Sequence, residues 1–187
     1  KGNTMKRSFF ASSDSGLAFT DPHDRKRYPV AFLDGRLWMT SNLKRFVAFQ
    51  SVSHGDKDVD DHFGLLYRCD EELEDVLPEG FRLPSAEELK SMFAKWKELV
   101  AIHPLDVPSV LNRYGDIPLA GTAFQANPYE SPEFRDFGDK GVYLTSSRDE
   151  QGYRLALCMT RDGCKTTRVL SGEHCSIRLT LNTETLN

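Results

Sequence analysis

An Asp34-Gly35 pair set between two short apolar runs constrains this chain more than any other feature. A two-residue hairpin turn of type I′ needs positive φ at both central positions, and Asp-Gly supplies it at little steric cost. Closing the turn there predicts strands over residues 28–33 and 36–41, with Phe32 opposite Leu37, Ala31 opposite Trp38 and Val30 opposite Met39. Val30, Phe32, Leu37 and Met39 then share one face, while Ala31, Leu33 and Trp38 share the other. Both faces are apolar, so the hairpin is expected to be covered on both sides. That makes it a core element, and it carries no catalytic side chain.

The chain has 187 residues, enough to bury a real core within one domain. Residues 1–20, rich in Ser, Lys and Gly, read as a loose lead-in, and residues 21–187 as a single domain. A net charge of -4 argues against a nucleic-acid partner, because such binders concentrate basic charge on one surface. No apolar run approaches the roughly 18–20 residues needed to span a bilayer, so no membrane insertion is expected. Residues 51–61 form a polar loop, and residues 70–76 read as a short acidic helix. The clearest helix follows: Ser85 as N-cap, Glu88 completing a capping box, and Leu89, Met92, Phe93, Trp96, Leu99 and Val100 at helical spacing, stopping before Pro104. Residues 102–140 show no periodicity and hold Pro104, Pro108, Pro118, Pro128 and Pro132. Long irregular segments of this kind are often functional. Strands return over residues 142–145, 153–160 and 164–170, and in a last strand where Cys175, Ile177, Leu179 and Leu181 face inward. Two helices early, antiparallel strands from both chain ends and one long irregular loop region define an α+β chain.

The four cysteines, Cys69, Cys158, Cys164 and Cys175, follow no zinc-ligand spacing. They are either small buried hydrophobes or a disulfide pair or reactive thiol. Counting around the Asp162-Gly163 and Gly172 turns places Cys158 opposite about residue 166 and Cys175 opposite about residue 169, so those strands pair no two cysteines. Only a partner for Cys69 from a distant part of the fold remains open.

Four ordered blocks carry a family resemblance. Asp21-Pro22-His23-Asp24 through Tyr28, then Asp34-Gly35-x-x-Trp38-Met39-x-x-Asn42-Leu43, is similar to a D-x-R-D-G-x-x-Y segment followed by a W-M-x-x-N-L hairpin. The second block is Tyr67 with Leu77-Pro78-Glu79-Gly80-Phe81-Arg82-Leu83-Pro84-Ser85, the third Gly141 to Ser147, and the fourth Cys175-Ser176-Ile177-Arg178-Leu179. Together they resemble the Fibrobacter succinogenes major paralogous domain family. The resemblance implies a C-type-lectin-like fold in which first and last strands pair and an irregular loop region carries ligands. It also implies a bacterial protein that is secreted or displayed at the cell surface. Two family cysteines correspond to Leu77 and Leu179 here. If those two normally pair, apolar packing replaces a disulfide, which leaves a cytoplasmic location open.

The acidic residues Asp56, Asp58, Asp60 and Asp61 invite a calcium reading, since that hard cation takes six to eight oxygens. The EF-hand glycine position holds Asp61 and the twelfth position Tyr67, so a solvated acidic loop is expected, with no metal and no cofactor. No thiol, serine or histidine falls into a nucleophile arrangement: His174 and Cys175 are adjacent on a strand and point to opposite faces. The segment from Phe124 to Lys140 mixes aromatics with polar groups suited to recognition. Asn127, Tyr129, Arg135, Asp136 and Asp139 are the candidate binding residues, while Phe124, Phe134 and Phe137 serve either the ligand or the core. The leading expectation is a non-enzymatic recognition module for a protein or carbohydrate partner. A structural module in a surface or phage-like assembly comes second, and a hydrolase or oxidase third.

Overall fold

The computed structural model describes residues 10–13, 16–70, 72–73 and 76–182. The chain opens with β1 (Phe10–Ser13), β2 (Gly16–Thr20), β3 (Arg27–Leu33) and β4 (Arg36–Met39). The turn between the last two has Asp34 at φ 53° and Gly35 at φ 73°, as a type I′ turn requires. Its register pairs Val30 with Met39, Ala31 with Trp38 and Phe32 with Leu37. Gly16–Thr20, expected to belong to a loose lead-in, is instead a strand antiparallel to β3, with Ala18 and Phe19 buried. Residues 1–9 of that lead-in lie outside the described residues.

Next come β5 (Ser51–Val52), α1 (Lys57–Phe63), β6 (Leu66–Arg68), β7 (Phe81–Arg82), α2 (Ala86–Ile102) and α3 (Val107–Tyr114). The acidic loop is thus corrected to a helix. Asp56 caps it, accepting from the amides of Asp58 and Val59 at 2.9 and 3.1 Å, and Asp58 and Asp60 sit in its first turn where the helix dipole favours carboxylates. Of the acidic helix expected at residues 70–76, Asp70, Glu72 and Leu73 are not helical, while Val76 lies in a 3-10 turn whose amide donates to the Leu73 carbonyl at 2.9 Å. Residues 71, 74 and 75 lie outside the described residues. The capping box is present, Ser85 Oγ accepting from the Glu88 amide and the Glu88 carboxylate from the Ser85 amide, both at 3.1 Å.

The chain closes with β8 (Thr122–Phe124), β9 (Glu133–Arg135), β10 (Lys140–Arg148), β11 (Arg154–Thr160), β12 (Gly163–Arg168), β13 (Glu173–Cys175) and β14 (Thr180–Leu181). The 102–140 stretch, expected to be irregular, therefore holds a helix and a hairpin. Pro108 does not prevent α3, because proline is tolerated in a helix's first turn, where its missing N–H has no intrahelical partner. The fold is mixed α+β, with three helices among the described residues and antiparallel strand ladders in three sheets, of orders β1-β2-β3-β4-β14-β7, β5-β6-β13-β8-β9 and β10-β11-β12. β14 lies beside β4, so strands from both chain ends share one sheet. No helix among the described residues is long and apolar enough to cross a membrane.

The opening hairpin lies between two cores. Val30 and Met39 join Tyr28, Leu43, Tyr67, Ile177 and Leu179. Leu33 and Trp38 join Leu89, Met92, Phe93, Tyr143 and Leu157 on the other side. Burial of each such large side chain contributes about 1.5–3 kcal/mol. Two-sided cover fails at the turn, where Phe32 is 69% exposed.

The last strand departs from expectation in a second way. Ser176, Arg178 and Thr180 are buried along with Cys175, Ile177 and Leu179, so no face of it meets solvent. Nor does it follow β12: β13 inserts between β6 and β8, with Cys175 opposite Tyr67. Cys158 lies opposite Lys165, one residue from the expected position. Cys69 and Cys175 are fully buried, the Cys69 thiol donates to the Tyr67 carbonyl at 3.2 Å, and burial pushes both thiols up from the ordinary range. All four cysteines are free.

Candidate functional site

Two features stand out among the described residues: a group of exposed aromatics on the β8–β9 side, and a polar cleft at the end of β4. The first depends on Gly121 at φ 68°. A Cβ there would sit 2.1 Å from the Arg135 carbonyl, so only glycine lets the turn after β9 lie across the start of β8. β9 is the outer strand of its sheet and all three of its residues are exposed.

The candidate residues divide into two groups. Asn127 and Tyr129 sit at the hairpin tip. Asn127 shapes it, accepting from the Tyr129 amide at 3.0 Å and donating to Glu130 at 2.6 Å, while Tyr129 is 87% exposed. Arg135, Asp136 and Asp139 sit at the base. Arg135 pairs with Glu133 at 2.9 Å and lies over the Phe124 ring, 5.6 Å from its centre. Asp136, at φ 57°, accepts the Asp139 amide on its carbonyl and pairs with Lys140 at 2.9 Å. No hydrogen bond or ion pair joins these tip residues to these base residues among the described residues. The structure therefore does not gather the five into one pocket.

What sequence reading missed is the set of aromatics that faces them. Phe49, 62% exposed, places its ring 6.0 Å from Tyr129. His54 stacks on Phe134 at 5.4 Å and meets Phe137 edge-on at 5.5 Å, and Phe63 packs on Phe137 at 4.7 Å. Phe134 and Phe137 thus touch the body of the protein yet stay 40% and 48% exposed. These rings anchor the hairpin to the body of the protein and keep part of their surface exposed. His54 is held by Asp60 at Nδ1 (3.0 Å) and faces the Ala120 carbonyl at Nε2 (3.5 Å), with its side chain only 7% exposed. That is a clamp between α1 and the segment leading into β8.

The acidic residues of α1 do not converge. Asp56 caps the helix, Asp60 serves Ser53 and His54, and Asp61 pairs with Lys57 at 2.5 Å, which holds its carboxyl below the usual range. Among the described residues no three His, Cys, Asp or Glu side chains cluster as metal ligands.

The polar cleft encloses about 640 Å³ and lies against Thr40, Ser41, Asp61, His62, Asp116 and Arg178. Its geometry starts from Asn42. The Asn42 amide donates to the Phe63 carbonyl at the end of α1 (3.0 Å), and its oxygen accepts from Arg178 Nε (2.9 Å). Arg178 Nη2 donates to the Asp116 carbonyl at 2.6 Å and Nη1 reaches the Met39 carbonyl at 3.4 Å. Tyr143 completes the network, donating to the Pro118 carbonyl at 2.6 Å. Burial pulls the Arg178 guanidinium down from its ordinary value. A second glycine fixes the cleft wall: at Gly115, φ 76°, a Cβ would meet the Thr40 carbonyl at 1.7 Å, so α3 can end only there against β4. Trp96 locks the same point, its Nε1 donating to the Gly115 carbonyl at 2.8 Å.

Comparison with protein families, curated proteins and solved structures finds no match for the chain.

Proposed function

We propose that this protein is a non-enzymatic recognition module that binds a protein or carbohydrate partner through its central region, on a C-type-lectin-like scaffold of the Fibrobacter succinogenes major paralogous domain family. The single observation that carries the reading is the set of exposed aromatics along the β8–β9 hairpin: Phe49 against Tyr129 at its tip, and Phe134 and Phe137 at its base, where Arg135, Asp136 and Asp139 also lie. Rigid rings flanked by polar groups make strong anchors at interfaces, because they bury large area at low entropic cost. The motif blocks in the sequence support the scaffold assignment, and so does the sheet shared by strands from both chain ends. The clamped state of His54 supports a structural rather than a proton-transferring role for that histidine.

A structural role in an assembly is the second reading, favoured by one observation: β9 is the outermost strand of its sheet among the described residues, an edge on which a further strand can add. Probing arrays of glycans and of surface-protein ectodomains, alongside sedimentation of the free protein, separates the two. The proposal expects at least one array hit that is lost in a Phe49→Ala/Tyr129→Ala double variant. Concentration-dependent self-association with no hit contradicts it and favours the assembly reading.

A further inference from the structure

The cleft at the end of β4 presents a charge arrangement that the aromatic face does not explain. Arg178 lines it and is 2% exposed, and its three guanidinium nitrogens donate to the neutral oxygens of Asn42, Met39 and Asp116. None of the described carboxylates forms an ion pair with it. The Asp116 carboxylate turns to the Ile117 amide at 2.7 Å and to His62 at 3.7 Å instead. A buried cation without a counter-charge is costly, and a guanidinium offers five N–H groups in a fixed fork of which only some are used here. Beside it the Ser41 hydroxyl oxygen is buried without a partner. The deep end of the cleft is therefore rich in donors and positively charged. Its rim carries two carboxylates whose side chains are each 44% exposed: Asp61, shared with Lys57 and Lys44, and Asp116, which faces His62.

We propose that this cleft binds a small zwitterion of the α-amino acid class, with the ligand carboxylate against Arg178 and Ser41 and its ammonium group toward Asp116 and Asp61. Each simpler ligand matches half of the arrangement. A free anion such as phosphate meets the Arg178 fork but must pass two rim carboxylates. A simple amine suits the rim but is repelled from the deep end. A neutral sugar leaves the buried cation uncompensated. A zwitterion satisfies both ends, and a guanidinium fork matches a carboxylate bidentately. The volume exceeds what a small amino acid fills, and Leu111 and Pro108 supply an apolar wall, so the fit favours a large apolar side chain.

The test is calorimetric titration of the intact protein with L-phenylalanine and L-leucine, then with phenylpropionate, phenethylamine, glucose and inorganic phosphate. The amino acids are expected to bind at least about tenfold more tightly than the matched acid or amine, since a hydrogen bond to a charged group is worth roughly that factor. Asp116→Asn is expected to weaken amino-acid binding by about tenfold while leaving phenylpropionate binding unchanged or tighter. Ser41→Ala is expected to weaken both. Should Asp116→Asn fail to fold, Asp61→Asn carries the same comparison with a smaller expected loss. Absence of amino-acid binding up to millimolar concentration overturns the proposal, as does equal affinity for phenylpropionate, or tighter binding of glucose or phosphate. Because these readouts do not involve the aromatic face, their failure leaves the recognition reading untouched, and the reverse also holds.

Discussion

Glu88 joins three parts of the fold, and replacing it by glutamine isolates one of its roles. Its carboxylate takes a two-pronged bond from Arg82 at 3.0 and 2.8 Å, a further contact from Arg36 at 2.9 Å, and the Ser85 amide of the capping box. The Arg82 guanidinium holds the carboxyl down to about 2, from an ordinary 4.5. At about 1.36 kcal/mol per pH unit this sets a ceiling of about 3 kcal/mol, and screening by solvent at a partly exposed site reduces it to about 1–2 kcal/mol. A glutamine side chain can still complete a capping box, so Glu88→Gln removes the charge and keeps the cap. The sign follows from linkage: the folded carboxyl binds its proton less readily than the unfolded one, so its contribution is full above pH 4.5 and fades as pH falls toward 2. Urea unfolding of both proteins across pH 7 to 3 should show wild type more stable by about 1–2 kcal/mol at pH 7, with the gap narrowing below pH 4.5. A gap that stays constant with pH, or no gap at neutral pH, refutes the reasoning.

Three further outcomes follow from the packing. Trp38→Ala should cost about 3–5 kcal/mol and Trp38→Phe about 1 kcal/mol, because the ring is 2% exposed and its Nε1 donates to the Leu33 carbonyl at 3.1 Å; thermal unfolding checks both. Gly115→Ala should cost at least about 2 kcal/mol by calorimetry, since it forces α3 away from Thr40 at a backbone conformation that L residues disfavour. Burial lowers His174, so the folded ring binds its proton less readily than the unfolded one, and stability should begin to fall as pH drops below about 6.5. Denaturant unfolding at pH 7.5, 6.5 and 5.5 reads that slope, which lies in a window separate from that of Glu88.

The parts of the fold legible in the sequence are those fixed by local chemistry. Asp34-Gly35 dictates its turn because positive φ is needed at both positions, and the turn then sets the hairpin register. Ser85 and Glu88 mark a helix start through two reciprocal hydrogen bonds between neighbours. The aspartates of residues 56–61 mislead because carboxylates at short spacing suit a cation loop and a capped helix equally, and only the placement of Asp60 on His54 distinguishes them. Cys175 beside Cys69 is invisible for a different reason: the pairing of β13 with β6 spans more than a hundred residues. Strand alternation assigns Arg178 outward, but that rule presumes one solvated face. A signal is available, since Ser176 and Thr180 flank it at the same parity and small polar side chains suit a covered strand. The candidate residues at the hairpin share one segment of sequence, whereas Phe49 and His54 come from a different part of the chain and no local pattern announces them.

The central claim of the proposal is that Phe49 and Tyr129, on the β8–β9 side, are free for a partner and are not needed by the fold. The most direct measurement is the unfolding free energy of a Phe49→Ala/Tyr129→Ala variant, whose rings are 62% and 87% exposed and meet chiefly each other. Recognition predicts a stability within about 0.5 kcal/mol of wild type, as for surface substitutions in general. A loss of about 2 kcal/mol or more would place these aromatics among the supports of the fold and contradict the account.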